Sequence, residues 1–170
     1  MLTYIARNFS KGLLPAMKEL KLLFANHPRS AIIPALTELQ NHTGWISDDD
    51  VNELSNYFDV KEEEIFETVT FYSMFNREPV GDHIVQVCTG GPCSLRGSDA
   101  VLDKFHSLLD EKVTVRHVEC LGACCCGPVI TVDGKYHEAI DEEEAQAIAN
   151  DILNGVVPKQ RVCDKKPQRK

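Results

Sequence analysis

Six of the seven cysteines fall between Val87 and Val129, in two groups that each sit where an apolar run gives way to glycine and proline: VCTGGPC and VECLGACCCGP. Four residues separate Cys88 from Cys93, and three separate Cys120 from Cys124. Four thiolates delivered by two loops is a metal-site pattern.

Spacing alone leaves three chemistries open. Structural zinc takes four thiolates in a closed tetrahedron, usually from short knuckles with two to four intervening residues. A [2Fe–2S] cluster also takes four, two on each iron, so a wider pair such as C-x4-C suits it. A thioredoxin-type redox pair needs C-x-x-C, and no isolated pair of that spacing is present; Cys124, Cys125 and Cys126 are a contiguous run instead. The spacing favours the two-iron cluster, with zinc next and free thiols last. Gly90, Gly91, Gly97, Gly122, Ala123 and Gly127 are small residues where backbone amides must approach sulfur, or where the chain simply turns.

To bring the two loops together, the chain must supply strands that end side by side. His83 to Cys88 (HIVQVC) alternates and is β-branched, as is Val113 to Val118 (VTVRHV), and both read as strands. Between them, Ser98-Asp99 caps a helix through Val101, Leu102, Phe105, Leu108 and Leu109. A strand, a crossover helix and a second strand give a right-handed parallel pair, whose outgoing loops emerge at the same sheet edge. Those loops carry Cys88 with Cys93 and Cys120 with Cys124. Val129 to Val132 and Lys135 to Ala139 flank Asp133-Gly134, a strong hairpin signal. Asp141 and Glu144 form a capping arrangement before a last helix that stops at Gly155, giving the order β-α-β-β-β-α.

Upstream of Glu78-Pro79-Val80-Gly81 the apolar period is helical. One helix runs over Lys11 to Phe24, a second follows Ser30 as N-cap and ends near Gly44, a third follows Ser47, and a fourth stretch or pair spans Lys61 to Phe75. The expected architecture is α+β: a helical bundle over residues 1–78, an α/β domain over 79–157, and a basic tail over 158–170 expected to be disordered. That tail sets six basic residues against Asp164, a net of +5, which leaves −13 on the rest of a chain whose formal charge is −8. An acidic body argues against nucleic acid as the main partner. No run approaches the roughly 20 apolar residues that span a bilayer, so no direct membrane insertion is expected. The N-terminus lacks a secretory cleavage pattern and is read as an ordinary first helix, which places the cysteines in a reducing compartment.

The sequence C-T-G-G-P-C-S-L-R-G, then V-E-C-L-G-A-C, then GPVITVDG resembles the thioredoxin-like [2Fe–2S] ferredoxins. HPRSAIIPALTELQNHTGWISDDDVNELSNYFDVKEEEIFETVTFYSMFNREPVG is similar to the helical N-terminal part of the E-type subunits of NADH-quinone oxidoreductase, respiratory complex I, and the match spans about residues 25 to 155. The resemblance implies a thioredoxin-like second domain with one [2Fe–2S] cluster on Cys88, Cys93, Cys120 and Cys124. It further implies an electron-transfer role beside the FMN of a flavin- and NADH-binding partner of the F type and the rest of the peripheral arm, on the cytoplasmic side of the inner membrane. A soluble NAD-linked hydrogenase or formate dehydrogenase can use the same module, and a zinc scaffold is the reading from a different class. The chain departs from the family in following Cys124 with Cys125 and Cys126, which are read as spare thiols.

No G-x-G-x-x-G follows a strand and no P-loop is present, so FMN and NADH are expected on the partner, with no complete active site in this chain. Arg96 is the cation nearest the cysteines in sequence, read either as a charge felt by the cluster or as a solvated side chain. The six histidines lack ligand spacing, with His83 and His117 on strands near the cysteine loops. Trp45, Phe71, Tyr72 and Phe75 read as packing ahead of docking, and Cys163 as a free thiol without function.

Overall fold

A computed structural model describes residues 14–163, which fall into two compact units on either side of the junction between Pro79 and Val80. In the first unit four helices share a core: α1 (Leu14–Leu23), α2 (Ile32–Thr43), α3 (Asp48–Phe58) and α4 (Glu62–Phe71). Met17, Leu36, Ile46, Leu54, Ile65 and Val69 are buried there, with an apolar stripe from each helix turned inward. Ser47 caps α3, taking the Asp50 amide on its hydroxyl at 3.2 Å, while the Asp50 carboxylate takes the Ser47 amide at 2.8 Å.

Three local expectations change. Ser30 is not a cap: it lies inside a 3-10 turn over Pro28–Ala31, its amide spent on the His27 carbonyl at 2.9 Å, and the turn runs straight into α2. The fourth helix ends at Phe71, because Tyr72 is extended, and Phe75 returns to the core on the following turn. Of the aromatic set, Phe75 is 5% exposed while Phe71 is 81% exposed, so the packing reading holds for the first and not for the second. The part of the first expected helix before Leu14 lies outside the described residues.

The second unit is a four-stranded sheet with helices. Its elements in chain order are β1 (His83–Cys88), the one-turn α5 (Gly91–Ser94), α6 (Ser98–Leu108), β2 (Val113–Val118), β3 (Val129–Val132), β4 (Lys135–Glu138) and α7 (Glu142–Leu153). Strand order is β2-β1-β3-β4, with β1 and β2 parallel and the other two pairings antiparallel. Val85, Val87, Ile130 and Val132 bury one sheet face against Val101 and Phe105 of α6 and Ala149 and Ile152 of α7. Strand residues of the other parity, Gln86, Thr131 and Cys88 among them, therefore point to the opposite face. Asp133 and Gly134 both have positive φ, 48° and 77°, as a tight hairpin between twisted strands requires.

Ser98 is also displaced from its expected role. It is the first residue inside α6 and fully buried, and Gly97, at φ 93°, precedes it. The tail begins differently too: the Glu138 amide donates to the Arg161 carbonyl at 3.0 Å, so residues 161–163 lie along the end of β4. Residues 164–170 of that tail are outside the described residues.

Candidate metal centre

Cys88 closes β1 level with Val118, which closes β2, and the Thr89 amide continues the ladder by donating to Val118 at 2.9 Å. Two parallel strands ending in register send both outgoing loops from one sheet edge. Cys93 follows on α5, and Cys120 and Cys124 on the loop after β2. Cys88 and Cys93 are buried with Val129 in a small apolar cluster, on the sheet face away from α6 and α7. Cys120 is exposed and Cys124 half-buried, their sulfurs 3.7 Å apart. A tetrahedral metal with bonds of about 2.3 Å holds two of its sulfurs about 3.8 Å apart, so this pair already has the separation of two ligands on one metal.

Cys120 meets Cys124 at 3.7 Å, and the Cys88 thiol is influenced by those of Cys93 and Cys120, so the four act on one another across both loops. Among the described residues no group of three or more His, Cys, Asp or Glu side chains is already arranged to hold a metal ion. The four thiols come as two loop-borne pairs, Cys88 with Cys93 and Cys120 with Cys124.

Electrostatics ties the four together. Burial opposes ionisation of Cys88, but the amides of Gly90 and Leu121 and the thiols of Cys93 and Cys120 outweigh it, and its pKa falls below the usual thiol range. Burial, the hydrogen bond to Cys88 and the Cys88 charge push the Cys93 thiol up to about 11. The Cys124 thiol is raised by its hydrogen bond to Cys120 and by the charge there. One thiolate is accommodated and the next is resisted, so four ionise together only when cationic charge enters among them. That donor set, with amides aimed at sulfur, fits an iron–sulfur cluster. The Gly122 amide adds another N–H···S contact, 3.4 Å from the Cys120 sulfur.

Two of the glycines are there for close approach. A Cβ on Gly90 would lie 2.4 Å from the Glu119 carbonyl oxygen, and one on Gly127 would lie 3.0 Å from the Cys93 sulfur. Gly122 has open space around it but sits at φ 84°, where a side chain is strained. Arg96 spans the two loops, donating to the Cys124 carbonyl at 2.7 Å and to the Pro92 carbonyl at 3.2 Å. Its guanidinium meets both cysteine loops while the residue stays exposed, so it is at once a cation beside the cysteines and a solvated side chain. His83 is not near the cysteines as its strand suggested: it starts β1, about 17 Å along the strand from Cys88, and pairs with Asp133 at 2.7 Å.

The CCC run divides. Cys124 faces Cys120, whereas Cys125 and Cys126 contact each other at 3.5 Å. Cys163, burial and Cys125 push the Cys126 thiol up to about 12. The resemblance already set Cys124 with Cys120 and left Cys125 and Cys126 spare; the Arg96 bridge joins residues on different loops, and only the SLRG placement of Arg96 hinted at it.

The family model described as thioredoxin-like [2Fe–2S] ferredoxin matches residues 18–153. The E-type subunit of NADH-quinone oxidoreductase from Rickettsia typhi is 36% identical over 139 residues, covering 76% of this chain and 82% of that protein. The mitochondrial NADH dehydrogenase [ubiquinone] flavoprotein 2 of Dictyostelium discoideum is 32% identical over 146 residues, covering 78% of this chain and 59% of its own length. A crystal structure of an air-oxidised NAD+-reducing [NiFe]-hydrogenase superposes with a TM-score of 0.60 at 18% identity, over 71% of this chain and 23% of that one, and shares the fold.

Proposed function

Because the chain belongs to the thioredoxin-like [2Fe–2S] ferredoxin family, in the line of the E-type subunits of NADH-quinone oxidoreductase, we propose that it is the one-electron carrier of such a complex. It holds one [2Fe–2S] cluster on Cys88, Cys93, Cys120 and Cys124, beside the FMN of a flavin- and NADH-binding partner of the F type. The observation that carries this reading is the gathering of those four thiols at one sheet edge, where they act on one another across both loops.

A bound cluster supplies reversible one-electron transfer and adds about one negative charge on reduction. The chain's residues set the conditions. Four cysteine ligands leave no position for substrate. The amides of Gly90, Leu121 and Gly122 point at sulfur and stabilise negative charge there. Arg96 brings a cation to the Cys124 loop. Cys88, Cys93 and Val129 keep one side of the site buried while Cys120 is exposed, which leaves a short path for an electron from a docked partner. Without a dinucleotide fingerprint, hydride chemistry belongs to that partner. Among the described residues no helix is long and apolar enough to cross a membrane; the place proposed for the chain is peripheral, on the cytoplasmic side of the inner membrane, held through the complex.

The fold shared with the NAD+-reducing hydrogenase supports a second host, a soluble NAD-linked hydrogenase; the partners that co-purify with the native protein decide between the two. Absorption and EPR spectra of anaerobically purified protein test the cluster itself. We expect two irons per chain and an EPR signal on reduction. A colourless, EPR-silent protein with stoichiometric zinc sinks the proposal.

A further inference from the structure

Three thiols left outside that constellation form a group of their own. The Cys125 and Cys126 sulfurs are 3.5 Å apart, and the C-terminal segment brings Cys163 to the same neighbourhood, where its thiol acts on that of Cys126. The backbone holds Cys126 and Cys163 together from two sides of one short segment. The Ala139 amide donates to the Cys126 carbonyl at 2.7 Å, and the preceding Glu138 amide donates to Arg161 at 3.0 Å. The Glu138 carboxylate then takes the Cys163 amide at 2.8 Å, and Arg161 pairs with Glu144 at the start of α7. Cys126 is 6% exposed and Cys163 half-buried, so the pair faces more protein than water. Cys125 is a poor partner for Cys126, because adjacent residues must close a strained ring.

We propose that Cys126 and Cys163 are a reversible disulfide pair, which fastens the C-terminal segment to the sheet edge beside the cysteine loop. The oxidant is a small-molecule disulfide such as glutathione disulfide. The Cys163 thiolate attacks one sulfur of the reagent, whose S–S bond breaks, and one reagent thiol leaves. The Cys126 sulfur then attacks Cys163, and its proton departs with the second reagent thiol. Two protein thiols are oxidised to one disulfide, and one reagent disulfide is reduced to two thiols.

The test uses the full chain with its cluster loaded, incubated with glutathione disulfide and digested without reductant for mass spectrometry. The expected product has lost two hydrogens, carries a Cys126 to Cys163 cross-link, and reverts with dithiothreitol. Cys163→Ser should abolish the cross-link, Cys125→Ser should keep it, and cluster absorption should persist through oxidation. A Cys125 to Cys126 cross-link, a persistent mixed disulfide at Cys163, or no thiol loss overturns the proposal. So does a cross-link that forms only as the cluster bleaches, since freed ligands would then be its source. Because the thiol pair is read by mass and the cluster by absorption, failure of one is distinguishable from failure of the other.

Discussion

The Arg96 guanidinium donates to the Cys124 carbonyl at 2.7 Å while also holding Pro92 at 3.2 Å, so one side chain ties the loop of the first cysteine pair to that of the second. Arg96→Ala removes both the tie and a cation close to the cluster. The reduced cluster carries about one more negative charge than the oxidised one, so losing the cation should lower the reduction potential. Cluster loss in air should also be faster. Arg96→Lys keeps the charge without the planar fork and should restore the potential more than the lifetime. Redox titration with EPR and the rate of bleaching measure the two separately.

Replacing Cys88, Cys93, Cys120 or Cys124 with Ala should each abolish the cluster, read as iron content and visible absorption. Cys125→Ala, Cys126→Ala and Cys163→Ala should each retain it, because Cys124 alone of the CCC run faces Cys120. Retention in Cys124→Ala together with loss in Cys125→Ala would move the fourth ligand by one residue.

Gly90 and Gly91 are neighbours with opposite surroundings. A Cβ on Gly90 meets the Glu119 carbonyl at 2.4 Å, whereas one on Gly91 has nothing within 4 Å. Gly90→Ala should cost roughly 1–3 kcal/mol by forcing the two loops apart, with poorer cluster retention. Gly91→Ala should be near neutral. Equal denaturation midpoints for the two variants would contradict the close approach.

His137 is 1% exposed, and its Nδ1 has no partner among the described residues. Burial, then the charge of Lys135, holds its pKa below the ordinary 6.5. The unfolded chain therefore binds a proton more readily than the fold does. The stability contributed by the neutral ring is complete above about pH 6.5 and is lost as pH falls below it towards the folded value. Melting curves between pH 8 and 5 should show this decline, and His137→Gln should flatten it. An unchanged slope in the variant would assign the decline to other groups.

Much of the fold was legible because its signals are local. HIVQVC and VTVRHV alternate as strands do, Asp133-Gly134 is at ease in a tight hairpin, and Ser47 with Asp50 and Asp141 with Glu144 supply their own caps. Cys88, Cys93, Cys120 and Cys124 were legible as one constellation through the strand-helix-strand logic that puts two loops at one edge. Ser30 and Ser98 were misread because each has a cap residue's chemistry in the wrong backbone setting: one sits inside a 3-10 turn, the other after a left-handed glycine.

By itself the sequence determined which thiols exist, their spacing, and the strands that carry them, since hydrophobic period and turn chemistry act within a few residues. Only the tertiary structure decided that Cys124 turns towards Cys120, that the segment carrying Cys163 is held at Glu138 next to the Cys126 backbone contact, and that Arg96 grips the Cys124 loop. Which sulfur or carbonyl each group meets depends on how the loops lie against one another. That is settled by sheet register and by the few ångströms of room at Gly90 and Gly127, which no local pattern encodes.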